Sequence, residues 1–366
     1  MKKIDKFFLG ITLAIIILGL IIFVSASFGI LAKSENAFYD IVFKQIIFGL
    51  GGGIIAMYFC IKIPYKFWRK YSIYFFLASI VLTALVFVPH LGIAAGGAKR
   101  WVSILGYSFQ PVEFLKIAFI IYLASFFSLV KNKIQDFKFS IIPFFVMIGL
   151  IALVLLKQPD TKSLILMFTT GLAMLFAFGG KLKYILGFFV LGVIGFIILV
   201  SIKPYVLQRV KTFIDPASDP RGASYQLQQS LIAVGSGGLF GRGLGQSIQK
   251  FNYLPEPQGD SIFAVFCEEL GFVGSCILIC LFLVFALRGY RIAHNAPDPF
   301  GKILVIGLIT IIILQAFMNI ASIVGVFPLT GVPLPFISHG GTSLMIYMAV
   351  AGIILNVSKS SKGREV

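Results

Sequence analysis

FFLGITLAIIILGLIIFV, residues 7–24, runs for eighteen residues without a charge and without strict alternation of polar and apolar positions. A hydrocarbon core about 30 Å thick takes about 20 residues of helix, and in lipid only a helix or a closed barrel satisfies the backbone polar groups. Continuous apolar runs lack the alternation a barrel needs. The stretch follows MKKIDK and precedes SASFG (25–29), and together these imitate a secretory signal with a small-residue cleavage site. A signal's apolar region is only about 7–15 residues and is removed, whereas here further spans follow, so residues 7–24 read as a retained first helix.

Working outward, comparable blocks fall at approximately 41–61, 71–90, 112–130, 139–156, 163–180, 184–202, 261–287, 303–325 and 341–357, with the first extending over 7–28. The expected fold is therefore an all-α polytopic membrane protein of ten transmembrane helices, a single domain over 1–366, with a large extracytoplasmic loop (203–259) between helices 7 and 8. Composition agrees: 58% of the 366 residues are hydrophobic, against 31 basic and 14 acidic. The net charge of +17 points to no nucleic acid, because the basic residues are sorted by loop rather than gathered on an aromatic-flanked strip.

The sorting predicts orientation. Alternate loops beginning at the N-terminus carry Lys2, Lys3, Lys6, Lys62, Lys66, Arg69, Lys70, Lys131, Lys133, Lys138, Lys181, Lys183, Arg288, Arg291, Lys302, Lys359, Lys362 and Arg364. The short loops of the other set hold only Lys33, Lys99, Arg100, Lys157 and Lys162. The positive-inside rule then places both termini in the cytoplasm, and the six basic residues of 203–259 weigh little because long loops cross regardless of charge. Cys60, Cys267, Cys276 and Cys280 lie in or beside apolar blocks and predict no disulfide framework.

Ionisable groups inside spans need a reason, since each costs about 2.5–3.5 kcal/mol on insertion scales. Glu113 and Lys116 are three apart at the start of the fourth helix and share a face, as an ion pair or as the wall of an outward cavity with Lys99, Arg100 and Trp101 upstream. Gln315, Asn319 and Ser322 form a polar stripe on the ninth helix, which reads as interhelical hydrogen bonding. Asp160 in KQPDTKS is placed to cap the following helix. GSGGLFGRGLG (235–245) reads as close-packed or tightly turning backbone, and 225–234 as an amphipathic helix at the outer surface.

YLPEPQGDSIFAVFCEELG (253–271) carries four acids where the long loop meets the eighth helix. Pro255, Pro257 and Gly259 keep the preceding backbone out of a helix, so Asp260 is an N-cap candidate at the outer mouth. Glu268 lies about 12 Å deeper on roughly the same side, and Glu269 points away. A carboxylate at the mouth above a buried one fits a catalytic site or a cation path. His90, His294 and His339 are isolated, and no zinc spacing or nucleophile elbow is present. A membrane enzyme with a carboxylate, basic residues and an outward cavity can still transfer groups from a lipid pyrophosphate, where one general base suffices.

At this point the chain resembles the SEDS family, the FtsW and RodA membrane peptidoglycan glycosyltransferases. The resemblance runs through GGAKRWVSILGYSFQPVEFLK (96–116), QPD (158–160), residues 215–271 and GVPLPFISHGGTSL (331–344), and GLGQSIQKFNYLPEP looks more like the division branch than the elongation branch. It implies an inverting glycosyltransferase that polymerises lipid II at the outer face of the bacterial cytoplasmic membrane. The implied partners are a class B penicillin-binding transpeptidase and other divisome or elongasome membrane proteins. It further implies that Asp260 is the catalytic residue, activating the acceptor hydroxyl, and that a divalent cation (Mg2+ or Mn2+) is compatible with Asp260 and the pyrophosphate. Lys99, Arg100, Trp101, Glu113, Lys116, Asp160, Gln226, Gln229, Glu256, Asn319, Ser338 and Ser343 fall in the matching motifs and are the candidate substrate-binding residues. The chain departs from the family pattern at Gly259, where Thr is common, at His339, where many members have Tyr, and at Lys162, where Gly is frequent. The rival reading, a lipid II flippase without glycosyl transfer, explains the same helices and intramembrane charges.

Overall fold

The computed structural model describes residues 3–95, 98–104, 107–216 and 224–360. Lys2, Gly96, Gly97, Lys362, Arg364 and the stretch 217–223, which entered the orientation and family readings, lie outside the described residues. Helix α1 (Lys6–Leu31) starts at Asp5, whose carboxylate accepts the Phe8 N–H at 2.9 Å. Helix α2 (Glu35–Lys44) runs through a π-helical segment (Gln45–Gly51) into α3 (Gly52–Lys62). The short α4 (Tyr65–Lys70) leads to α5 (Ser72–Ala84), and α6 (Pro111–Leu129) opens on a proline, whose missing N–H costs nothing at a helix start. Then follow α7 (Ile142–Lys157), α8 (Thr161–Ala177), α9 (Leu182–Ile202), α10 (Pro204–Ile214), α11 (Tyr225–Ser236), α12 (Ile262–His294), α13 (Pro299–Ile323) and α14 (Gly341–Lys359).

Among the described residues eight helices are long and apolar enough to cross a membrane. The other two expected spans, at 71–90 and 163–180, are the shorter apolar helices Ser72–Phe87 and Thr161–Ala177. The protein is a multi-pass helical membrane protein with α6, α13 and α14 packed at its centre and α9 at the rim, where Phe188 is its one side chain recorded as buried. At one end of the bundle the described termini meet: the Asp5 N–H donates to Ser358 Oγ at 3.1 Å, and Arg288 pairs with Asp5 at 2.9 Å.

Two features correct the sequence reading. The segment between α5 and α6 carries strands: β1 (Gly92–Ala95), β2 (Ala98–Ile104) and β3 (Tyr107–Phe109) form an antiparallel sheet in the order β1-β2-β3. On β2 Val102 is fully buried while Lys99 is exposed, so the period-2 signal was present but too short to stand out. The second feature is a break in α12. Gly271 has φ +66°, outside the helical range, and the Gly-rich loop docks on both sides of it. Arg242 and Gly243 donate their N–H groups to the carbonyls of Glu268 and Glu269 at 3.0 Å, while Phe272 and Val273 donate to Gly238 and Leu239 at 2.9 and 3.0 Å. A Cβ on Gly241 would come within 2.1 Å of the Glu269 carbonyl oxygen, which is why the close-packing reading of 235–245 holds.

Candidate active site

The end of the bundle opposite the paired termini gathers the starts of α6, α8, α12 and α14, the last turn of α13, the sheet, and α10 and α11. Asp260 lies at their junction, one residue before the cap of α12. The capping position itself belongs to Ser261, so the expected N-cap role of Asp260 is corrected: its carboxylate is not spent on the helix. Gln226 of α11 donates Nε2 to Asp260 Oδ1 at 3.3 Å and to Ser261 Oγ at 3.0 Å. Asn319 of α13 donates Nδ2 at 2.7 Å to both the Asp260 and Val332 carbonyl oxygens, tying the 330–332 strand of chain to the acid's backbone. The polar stripe on α13 thus splits between tasks, with Gln315 bound to Pro333 and Tyr347 while Ser322 bonds back to its own helix.

Asp260 remains partly exposed, and among the described residues no carboxylate–cation contact within 4 Å involves it. Burial pushes its pKa above the ordinary carboxylate range, opposed by the Lys162 charge, the Gln226 hydrogen bond and Arg209. Lys162 and Arg209 were not among the candidate site residues. Lys162 donates Nζ to the Gly331 carbonyl oxygen, and Arg209 donates Nη1 to that of Thr330 at 2.9 Å. Burial, then the nearby Arg100, lowers the Arg209 pKa. Arg100 itself donates to the carbonyls of Gln158 and Pro159 at 3.3 and 2.5 Å.

The remaining candidates separate into groups. Asp160 caps α8 as expected, accepting the Ser163 N–H at 3.3 Å and its hydroxyl at 2.9 Å. Glu113 and Lys116 pair at 2.8 Å, both almost fully buried, and share a network with Gln315 and Tyr347. They line a small hollow that also touches Lys162. Lys99, Arg100 and Trp101 do not act as one cation–aromatic unit: Lys99 is exposed, Arg100 turns to the Gln158–Pro159 carbonyls, and Trp101 lines a separate apolar cavity of about 870 Å3 with Phe109, Phe114, His339 and Met345. The His339 N–H donates to the Gln258 carbonyl at 2.7 Å, which ties this cavity's wall to the Asp260 loop. Ser338 Oγ accepts the Leu334 N–H at 2.7 Å, a turn-holding role. Glu256 is exposed, while Gln229 and Ser343 are half-buried with no recorded bond to Asp260 among the described residues.

Glu268 is not a second carboxylate beneath Asp260. It accepts Ser247 Oγ at 2.6 Å and the Ile248 and Gln249 N–H groups at 3.0 and 3.2 Å, and so pins the loop to α12. Glu269 accepts the Ser25 hydroxyl and pairs at 2.7 Å with Lys250, both side chains fully buried. The cation-path arrangement therefore loses its deeper acid. No group of three or more His, Cys, Asp or Glu suited to a metal occurs among the described residues, and Asp260 faces two cations, a donor set that does not fit a resident Mg2+ or Mn2+ held by the chain.

One rim of this polytopic helical bundle gathers Asp260 with the cations Lys162 and Arg209, and similarity to known proteins identifies the family. Residues 5–363 match the family described as cell cycle proteins, FtsW, RodA and SpoVE, so the chain belongs to that family. It is 39% identical over 361 residues to stage V sporulation protein E of Bacillus subtilis, covering 98% of each chain. It is 36% identical over 366 residues to the probable peptidoglycan glycosyltransferase FtsW of Geobacter sulfurreducens, covering 99% of this chain and 98% of that protein. Its fold is shared with a chain of a peptidoglycan synthase complex (TM-score 0.79, 23% identity, 97% of each chain) and with the Thermus thermophilus rod shape determining protein RodA (TM-score 0.70, 22% identity, 98% of each chain).

Proposed function

We propose that this chain is a peptidoglycan glycosyltransferase that polymerises lipid II, with Asp260 as the general base. The carrying observation is that Asp260 is free of its capping duty and of close ion pairs, yet flanked by Lys162 and Arg209. In the step, the acceptor hydroxyl oxygen bonds to the donor sugar C1, its proton passes to Asp260, and the C1–O bond electrons leave with the polyprenyl pyrophosphate. Asp160 is occupied as a cap, and a single displacement with Asp260 as the base inverts the configuration at C1. The raised pKa favours this role, since a base nearer the working pH takes the proton more readily. The apolar cavity beside the Asp260 loop suits an isoprenoid tail.

The basic end of the bundle, with Lys62, Arg288 and Lys359, is then cytoplasmic and the Asp260 end faces outward. A monofunctional class B transpeptidase is the natural partner, since the similar chain belongs to a peptidoglycan synthase complex that coordinates polymerisation and crosslinking. The test uses purified protein with such a partner in liposomes containing labelled lipid II. Glycan chains with β linkages from the α-linked donor are expected; lipid translocation without any chain formation contradicts the proposal and supports a flippase.

A further inference from the structure

His339 lines the apolar cavity of about 870 Å3, and the proposed reaction gives it no task. Its ring stacks on Phe23 with centroids 5.8 Å apart and planes 12° from parallel, and among the described residues neither ring nitrogen takes a hydrogen-bond partner. The backbone is fixed from two sides. The His339 N–H donates to the Gln258 carbonyl at 2.7 Å, and the next residue, Gly340, donates its N–H to Gln45 Oε1 at 3.0 Å. Gln45 opens the π-helical segment whose Ile47, Phe48 and Gly51 line the same cavity. Pinned between that segment and the Asp260 loop, the imidazole has little freedom to leave the wall.

The wall around it is unsuited to a second charge. Among the described lining residues none is acidic, and Lys44 is the one that carries a charge at neutral pH. The charged groups acting on His339 are Lys44 and Asp40, which pair with each other at 2.7 Å on an exposed face of α2. The lining from α3, α5, the sheet, α6 and α14 holds no titratable side chain, and α1 meets the ring through Phe23. On the Asp260 loop, Glu256 and Asp260 stand two residues to either side of Gln258. Burial, then the Lys44 charge, pushes the His339 pKa below the usual histidine value, against the pull of Asp40. At neutral pH the ring is therefore an uncharged part of an apolar wall. Protonated, it sets an unpaired cation against that wall, which is costly unless water replaces an apolar occupant.

We propose that His339 is the specificity-determining residue of this cavity: its neutral imidazole admits an uncharged isoprenoid chain, and its imidazolium excludes the chain. This rests on the reading of the cavity as the tail site. A chain that enters only beside the neutral ring binds about tenfold more weakly for each pH unit below the ring's pKa, because the proton has to leave first. His339 stands where many members of the family have tyrosine, which stays neutral through this range, so the acid sensitivity belongs to this chain. It acts on tail binding, and so on KM, apart from any acid limb set by Asp260.

Trp101 lines the same cavity, and the chain has one other tryptophan, Trp68. The test uses full-length Trp68→Phe protein in nanodiscs of zwitterionic lipid. A nitroxide-labelled polyprenol, which lacks a phosphate, is titrated while the quenching of Trp101 fluorescence is followed at about pH 7.5 and about pH 5. With His339 in place, binding is expected to weaken by more than about threefold at the lower pH. His339→Phe and His339→Tyr are each expected to bind within about twofold at the two pH values, having no group that titrates between them. Thermal melts of each variant report folding. The proposal is overturned if binding with His339 in place changes by about threefold or less, or if both variants weaken as much as the protein that keeps His339. Quenching absent at both pH values overturns the tail reading and this proposal together, whereas binding that ignores pH removes the role of His339 alone.

Discussion

Asp260 illustrates how one residue can be costly to the fold and useful to the chemistry. Its folded-state pKa is raised, chiefly by burial, so the folded protein holds the proton more tightly than the unfolded chain. Stability linked to this group is then present at low pH and lost as pH rises through the raised value. Asp260→Asn removes that penalty and is predicted to melt no lower than wild type at pH 7, the difference vanishing below about pH 4, where both states are protonated. Polymerisation by wild type is predicted to fall with acidification at a higher pH than an ordinary aspartate would give. Glu113→Gln is the contrasting case. It leaves the buried Lys116 without its counter-ion and is predicted to cost about 3–5 kcal/mol, measured as lost folded yield and a lowered melting temperature. At this scale the sequence was legible where partners are local: Glu113 with Lys116 and Asp160 with Ser163 are each three residues apart. Lys162 and Arg209 were not read as site residues because their partners lie 169 and 121 residues away.

Elements tell a similar story about range. The ten apolar blocks were readable from length and hydropathy, although two of them fold as shorter helices than a full span. The break at Gly271 was hidden because its cause is the Gly238–Gly243 loop, which supplies the hydrogen-bond partners that the interrupted helix would otherwise lose. That loop is held by Glu268 and by the Lys250–Glu269 pair. Glu268→Gln is predicted to cost about 1–3 kcal/mol through weakened bonds to Ser247, Ile248 and Gln249. The expected result is less folded protein with unchanged turnover per folded molecule. Gly271→Ala is harsher, because it combines φ +66° with a Cβ only 2.3 Å from the Gly241 nitrogen, and should abolish the folded state in a detergent melt. The three-stranded sheet went unread for a different reason: β1 and β3 have four and three residues, too few for alternation to register.

For the whole molecule, one end of the bundle concentrates basic residues and both described termini, and the other concentrates the acid, the cations held by carbonyls and the apolar cavity. Under the proposed function, the apolar cavity would take the substrate's tail and the Asp260 rim its reacting end. The same arrangement explains why the apolar helices could be read from composition while the site could not: apolar helices are local in sequence, and the site is assembled from seven helices and a sheet. The most direct test is the initial rate of lipid II polymerisation by Asp260→Asn, set against wild type at equal amounts of folded protein with the transpeptidase partner present. Loss of a general base predicts a fall of about 100-fold or more; a rate within threefold of wild type would show that the proton is taken elsewhere.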